Sequence, residues 1–173
     1  MIILGIDPGT AATGYGAISL TGTKIKVLMY GVISTPSGRA AHHRLKMLSE
    51  DLHSLFQTLE EPEVAVEQLF FSKNTRTAIA VGQARGVSLL AAANAGCELS
   101  EYTPTQVKQS VVGYGAADKS QVQYMVKAIL SLKEIPKPDD AADALAVAIC
   151  HAHSRKLVKQ TSGHQTTAAS TKR

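Results

Sequence analysis

Two apolar runs in this chain end in a carboxylate. Residues 1–6 read MIILGI and lead into Asp7, and Val64, Ala65 and Val66 lead into Glu67. Short runs of that character are strand-like, and a carboxylate directly after a fully apolar strand sits at the strand's carboxyl end, where open α/β sheets build their ligand crevices. Charge in such a place is partly desolvated and calls for compensation. A second acidic pair, Asp140 and Asp143, lies in the segment DDAADALA. Positions i and i+3 of a helix share one face, so these two point the same way. Clustered acids repel one another, and a hard cation with oxygen ligands is the usual remedy. The four read together as a divalent-metal site.

Each acid also has a plainer role to set beside that one. Asp7 precedes Pro8-Gly9 and suits a turn, and Glu67 suits a solvated strand end. Asp139 and Asp140 follow Pro136 and Pro138 and suit the positive end of a helix dipole. That role leaves Asp143, a turn further in, unexplained. At 100° per residue, Asp140, Asp143, Val147 and His151 fall on one side of this helix, with Ala141, Leu145, Ala148, Ile149 and Ala152 on the other. The acids are therefore expected to face away from the packing stripe, and His151, two turns along from Asp143, to be a surface imidazole or, as the alternative, a neighbour of the site.

The remaining pattern is α/β. Residues 2–7, 13–20 and 25–34 read as three strands of an antiparallel meander joined by short Gly or Thr turns. Residues 39–59 carry Leu45, Leu48, Leu52, Leu55 and Phe56 at helical spacing. After the strand ending at Glu67, helices are expected at 75–95, 105–112, 120–132 and 139–154, with a strand at 99–102. The helix 75–95 is rich in small residues, including Ala78, Gly82, Ala84, Gly86 and Ser88, and apolar nearly all round. It suits either a buried central helix or a helix with contacts on more than one side. Three antiparallel strands followed by alternating elements predict a mixed five-stranded sheet flanked by helices.

A length of 173 residues suits one domain with a substantial core. The expected division is a folded domain over 1–155 and a disordered basic tail over 156–173, polar and without an apolar period. The net charge of +4 is misleading, because the tail holds Lys156, Lys159, Lys172 and Arg173 and no acids. Without those four, the body has fourteen bases and fourteen acids. Any affinity for nucleic acid then comes from where charges sit. Within 72–133 seven bases stand against three acids, a locally basic stretch bracketed by Glu67 and Asp140. No membrane span or signal sequence is evident. Cys97 and Cys150 lack metal-ligand spacing and read as buried free thiols of a reducing cytoplasm.

The order of segments GIDPGTAATGYG, VEQLFFSKN, GQARG, VKQSVVGYGAADKSQVQ and DAADALAVAICHAH resembles the RuvC family of bacterial Holliday junction resolvases, from Ile2 to about His153. The resemblance implies a ribonuclease H-like fold, a homodimer, and cleavage of four-way DNA junctions with magnesium or manganese. It places the family's four catalytic acids on Asp7, Glu67, Asp140 and Asp143. Some members carry histidine where this chain has Asp140. It also implies cooperation with the RuvA-RuvB branch-migration complex and a preference for short T-rich sites, and it favours a dimer contact on the helix 75–95.

The chemistry expected is metal-assisted phosphodiester hydrolysis leaving a 5′ phosphate and a 3′ hydroxyl, with Asp7 anchoring two ions and the other three acids completing their oxygen shells. By resemblance, Phe70 stacks on an unpaired base at the junction centre, against the plainer role of core packing. Lys73, Arg76, Lys108 and Lys119 match basic positions near phosphates, and Lys119 stands close enough in pattern to assist at the scissile group.

Two other functions compete. GIDPGT is similar to the phosphate loop of actin-like ATPases, but those need two such domains around a cleft. Gly113 to Ser120 nearly fits a nucleotide-binding loop, with Asp118 where the final glycine belongs; a carboxylate there disfavours phosphate, and Asp118 better caps the following helix. The closer rival is a ribonuclease H-like nuclease acting on RNA-DNA hybrids, which four carboxylates alone do not exclude.

Overall fold

The structure, a computed structural model, describes residues 1–68 and 75–168, with side chains over 1–68 and 78–155. Three antiparallel strands open the chain: β1 (Ile2–Asp7), β2 (Ala12–Thr21) and β3 (Lys24–Ser34). Gly22, at φ +63°, makes the tight turn between the last two. Helix α1 (Ala41–Gln57) leads to β4 (Glu63–Glu67), which pairs parallel with β1. Helix α2 (Thr75–Asn94) leads to β5 (Leu99–Tyr102), parallel with β4. The five strands form one mixed sheet in the order β3-β2-β1-β4-β5, as the sequence pattern predicts. Helices α3 (Pro104–Val112), α4 (Lys119–Ile129) and α5 (Asp139–Ala168) complete the fold.

The period of two along a strand decides what each face of the sheet receives. Leu4, Ile6, Val64 and Val66 point to one side and pack with α1 and α2 through Leu48, Leu52, Phe56, Ala84 and Ala92. Ile3 and Ala65 point to the other side, where they meet Leu145, Ile149 and Cys150 of α5 and Val107 and Val126 of α3 and α4. Asp7 and Glu67 share the parity of Ile3 and Ala65, so both acids belong to the α5 side.

Helix α5 lies unusually close to that face. A Cβ added at Gly5 would stand 2.1 Å from the Ala144 carbonyl oxygen, and one at Gly14 2.0 Å from that of Asp140. At Gly16 it would meet Leu145 at 2.7 Å. The helix answers with small side chains, Ala141, Ala142, Ala144, Ala146 and Ala148, all buried. Backbone therefore packs nearly on backbone, which only a glycine face permits.

Several expectations are corrected by this packing. Val147 and His151 are buried together with the opposite stripe, because the sheet, α3 and α4 enclose α5 on nearly all sides. The acids thus emerge at the end of a central helix, not along a free face. The buried central helix is α5 and not α2, which buries Ala84, Ser88, Ala91 and Ala92 and leaves Ile79 and Leu90 exposed. Cys97 is partly exposed, being just past the end of α2, while Cys150 is buried; both are free thiols. Helix α5 continues to Ala168, past the end expected at 154, since no proline follows Asp139 to stop it. Among the described residues no helix is long and apolar enough to cross a membrane.

Replacing Gly5 by alanine would drive a methyl group into the Ala144 carbonyl. We expect Gly5→Ala to lose about 1–3 kcal/mol or more of stability, measured by urea denaturation.

Candidate active site

Asp7 and Glu67 are the last residues of β1 and β4, which are adjacent and in register through Ile6↔Val66. Their side chains stand near enough for each to influence the other's proton. Asp7 also pairs across the sheet with Gly14, the residue against which the Asp140 backbone rests. That contact sets the start of α5 beside the end of β1. Asp143, one turn on, lines the same cavity as Glu67.

The electrostatics follow from this crowding. Burial, then the charges of Asp143 and Asp140, push Asp7 up to about 7. Burial, then Asp7 and Asp143, push Glu67 up to about 8. Asp143 is raised by burial against the pull of Lys119. Lys119 opens α4, with its Nζ 3.0 Å from Asp143 Oδ2 and 3.5 Å from Asp139 Oδ2. Burial opposes its charge, yet the bonds to Asp143 and Asp139 hold it above the usual lysine range. One ammonium thus offsets part of a four-acid cluster.

Lys119 owes its position to the residue before it. Asp118 caps α4, accepting from the Gln121 amide at 2.9 Å while Gln121 Oε1 accepts from the Asp118 amide, also at 2.9 Å. The near match to a nucleotide loop is therefore a capping box, with a carboxylate occupying the place a phosphate would need.

Two hollows flank the acids. One, of about 250 Å³, is bounded by Glu67, Asp143, Lys108 and Lys119, with Pro104, Val107 and Val122 as an apolar wall. The other lies beyond Asp140, between the Gly9–Ala12 loop, Arg44 of α1 and Ala80 of α2. That loop is braced: Thr10 Oγ1 donates to the Ala80 carbonyl at 2.7 Å, Thr35 Oγ1 to the Thr10 carbonyl at 2.6 Å, and Arg44 Nε to Thr35 Oγ1 at 2.8 Å. The turn that the Asp-Pro-Gly sequence suggests is thus real, and it serves to hold Asp7.

Among the described residues, no three such side chains close into a ready-made metal cage. The donor set nonetheless fits a hard divalent cation, being all oxygen, anionic and open to a cleft where water and substrate oxygens complete the shell. Two of its carboxyls hold protons against their ordinary values, the signature of a site short of positive charge.

Of the other residues singled out, Lys108 and Lys119 line the first hollow. Phe70 and Lys73 lie outside the described residues, and Arg76 is placed only as backbone in the first turn of α2.

Comparison with known proteins decides the lineage. The family model described as "Crossover junction endodeoxyribonuclease RuvC" matches residues 3–151. The chain belongs to the RuvC family. The RuvC of Alkaliphilus oremlandii is 58% identical over 154 residues, covering 89% of this chain and 94% of that protein. The RuvC of Clostridioides difficile is 56% identical over 159 residues, covering 92% and 94%. Among solved structures, RuvC of Thermus thermophilus in complex with a Holliday junction substrate superposes with a TM-score of 0.85 at 38% identity, covering 91% and 96%. The fold is accordingly ribonuclease H-like, and the function is that of a RuvC crossover junction endodeoxyribonuclease, a metal-dependent Holliday junction resolvase of recombination and repair.

Reading the sequence missed one cluster altogether. His151 is buried, with Nδ1 2.9 Å from Tyr102 Oη and Nε2 2.8 Å from Glu63 Oε2, and Arg155 reaches both oxygens of Glu63. The surface imidazole expected there is thus corrected: α5 turns that residue toward the sheet. The signal was present in β4, where Glu63 has the same parity as Ala65 and Glu67.

Raised carboxyl values carry a stability cost with a definite sign. In metal-free protein the folded state keeps protons on Asp7 and Glu67 that the unfolded chain releases once pH passes 3.8 and 4.5. Their contribution is whole below those values and is lost as pH rises to about 7 and about 8. In chelator, Asp7→Asn should therefore melt several degrees above the wild type at pH 8, and the gap should close toward pH 4 when followed by circular dichroism.

Proposed function

We propose that the chain cuts Holliday junctions in paired, symmetric nicks by metal-assisted hydrolysis, with Asp7, Glu67, Asp140 and Asp143 holding the metal. The observation that carries this reading is the half-buried pair Asp7 and Glu67 at two neighbouring strand ends, faced by the acids of α5. Two magnesium ions, or manganese in their place, would activate the attacking water and stabilise the departing 3′ oxygen, leaving 5′ phosphate and 3′ hydroxyl ends. The protons held on Asp7 and Glu67 must leave before these oxygens become ligands, so metal uptake strengthens as pH rises. Lys119, bonded to Asp143, stands at the edge of the hollow where a scissile phosphate would enter, and Lys108 lines the same hollow. Both suit phosphate contact, and Lys119 also suits charge stabilisation at the reacting group.

The DNA path would continue through residues that follow β4. Lys73 and Arg76 would contact backbone phosphates, and Phe70 would stack on an unpaired base, a contact worth about 1–3 kcal/mol. We read residues 1–155 as the nuclease domain and 156–173 as an accessory basic tail, acting in the cytoplasm beside RuvA-RuvB.

A homodimer is supported by the outward face of α2. Ile79, Gln83, Gly86 and Leu90 recur there at steps of four, three and four, and all are exposed. That is the spacing of a helix-pairing seam, with Gly86 open to close approach. An isologous pair would present two equivalent sites to the two equivalent strands of a junction.

On a synthetic four-way junction with magnesium, the wild type should give paired, ligatable nicks. Asp7→Asn and Asp140→Asn should each lower the rate at least about a hundredfold while still shifting the junction in a gel. Appreciable magnesium-dependent cutting by either would refute the site. Leu90→Glu should sediment as a monomer and lose bilateral cutting; a dimeric Leu90→Glu would remove α2 from the interface.

A further inference from the structure

The contact that brings Asp140 and Asp143 to Asp7 is smooth. Glycines of β1 and β2 face mostly alanines of α5, with Leu145 against Gly16 the large side chain among them, so few protruding groups resist sliding along the axis there. A slip of one helical residue is about 1.5 Å. Divalent ions such as magnesium demand ligand distances near 2.0–2.1 Å, and displacement of about 1 Å in an active site costs on the order of a hundredfold. Leu145 and Ile149 interlock on this face and set part of the axial register, and a directional polar contact would sharpen what they leave.

The cluster of Tyr102, His151, Glu63 and Arg155 has the required geometry. Glu63 and Glu67 stand at opposite ends of β4 on one face, four residues or about 13 Å apart. Asp143 and His151 stand eight residues or about 12 Å apart on α5. The helix runs antiparallel to the strand, so that Asp143 shares a cavity with Glu67 while His151 bonds Glu63. The two spacings match, and pinning one end places the other.

The pin is directional. Glu63 accepts from Arg155 through both oxygens, at 2.9 and 3.2 Å, and from His151 Nε2 at 2.8 Å. His151 Nδ1 then accepts from the Tyr102 hydroxyl at 2.9 Å, and burial first of all keeps that hydroxyl protonated, pushed up to about 12. Tyr102 pairs in register with Glu67 itself, so the same bond ties β5 and the strand end that carries the acid. Both His151 and the Glu63 side chain are largely shielded from water, where hydrogen bonds are strongest and misplacement most costly.

We propose that Glu63, His151 and Tyr102, braced by Arg155, are positioning residues for junction cleavage: a polar clamp at the far end of α5 that sharpens its axial register and so holds Asp140 and Asp143 opposite Asp7 and Glu67. The inference rests on the metal-holding role given to those four acids.

The test is calorimetric titration of metal-free protein with Mn²⁺, beside junction affinity measured in chelator, melting temperature and cleavage rate. Tyr102→Phe removes one hydroxyl and no ring atom; Glu63→Gln keeps an oxygen for His151; Glu63→Ala removes the pin. Mn²⁺ binding should weaken about tenfold in Glu63→Ala and less in Glu63→Gln and Tyr102→Phe, with cleavage falling in step and chelator junction affinity unchanged. Wild-type Mn²⁺ affinity in a folded Glu63→Ala, even with a lower melting temperature, would reduce the cluster to ordinary structural support and overturn the proposal. Should Glu63→Ala fail to fold, Tyr102→Phe decides in the same way: weakened Mn²⁺ binding upholds the clamp and unchanged binding overturns it. A wild type that takes up no Mn²⁺, or an Asp7→Asn variant that takes it up equally, would instead sink the metal reading beneath both.

Discussion

Backbone contact between α5 and the glycine face of β1 and β2 is the condition on which the site depends. Asp140 and Asp143 reach Asp7 only because Gly14 and Gly5 have no side chains to hold the helix away. A methyl group at either would push α5 outward by more than an ångström, and the acids would then face a gap. The same closeness explains the run of alanines after Asp140. They are small because the space is small, and the apolar content of the helix is a consequence of its position at the centre of the fold.

Bringing four acids together opposes folding, and the structure offsets this in a limited way. Lys119 supplies one positive charge to Asp143, and burial together with the crowding of like charge keeps protons on Asp7 and Glu67 up to about 7 and about 8. Neither device closes the cleft. The arrangement is least comfortable without a cation once pH has passed about 8, which is the condition under which a cation is most strongly drawn in. Stability and function are thus set against each other at the same atoms, as is common where a site needs charge that a core would reject.

Much of this was legible in the residues. Apolar runs ending in Asp7 and Glu67 marked the strand ends, and the meander, helix order and Asp118 cap all follow from local pattern. What periodicity could not supply was the surroundings of α5. A helical wheel assigns sides but not neighbours, so it took Val147 and His151 for the outer face when sheet and helices enclose both. The Glu63–His151–Arg155 cluster was hidden for the same reason, since its members lie far apart in sequence and only the antiparallel packing of α5 on β4 joins them. Conversely, the composition of α2 suggests a helix apolar nearly all round, and the structure divides it into a packed side and an exposed side.

The acids come from the first strand and the last helix, and this has a consequence for synthesis. A nascent chain carries Asp7 and then Glu67 long before Asp140 and Asp143 leave the ribosome, and its first strands have no α5 to cover their glycine face. If the four acids hold the metal as proposed, cutting ability would arrive only when α5 docks. The same dependence would act in reverse, since loosening α5 alone would part Asp140 and Asp143 from Asp7 and Glu67. On the metal-holding role proposed for the four acids, a chain lacking a docked α5 would hold only half of its ligands.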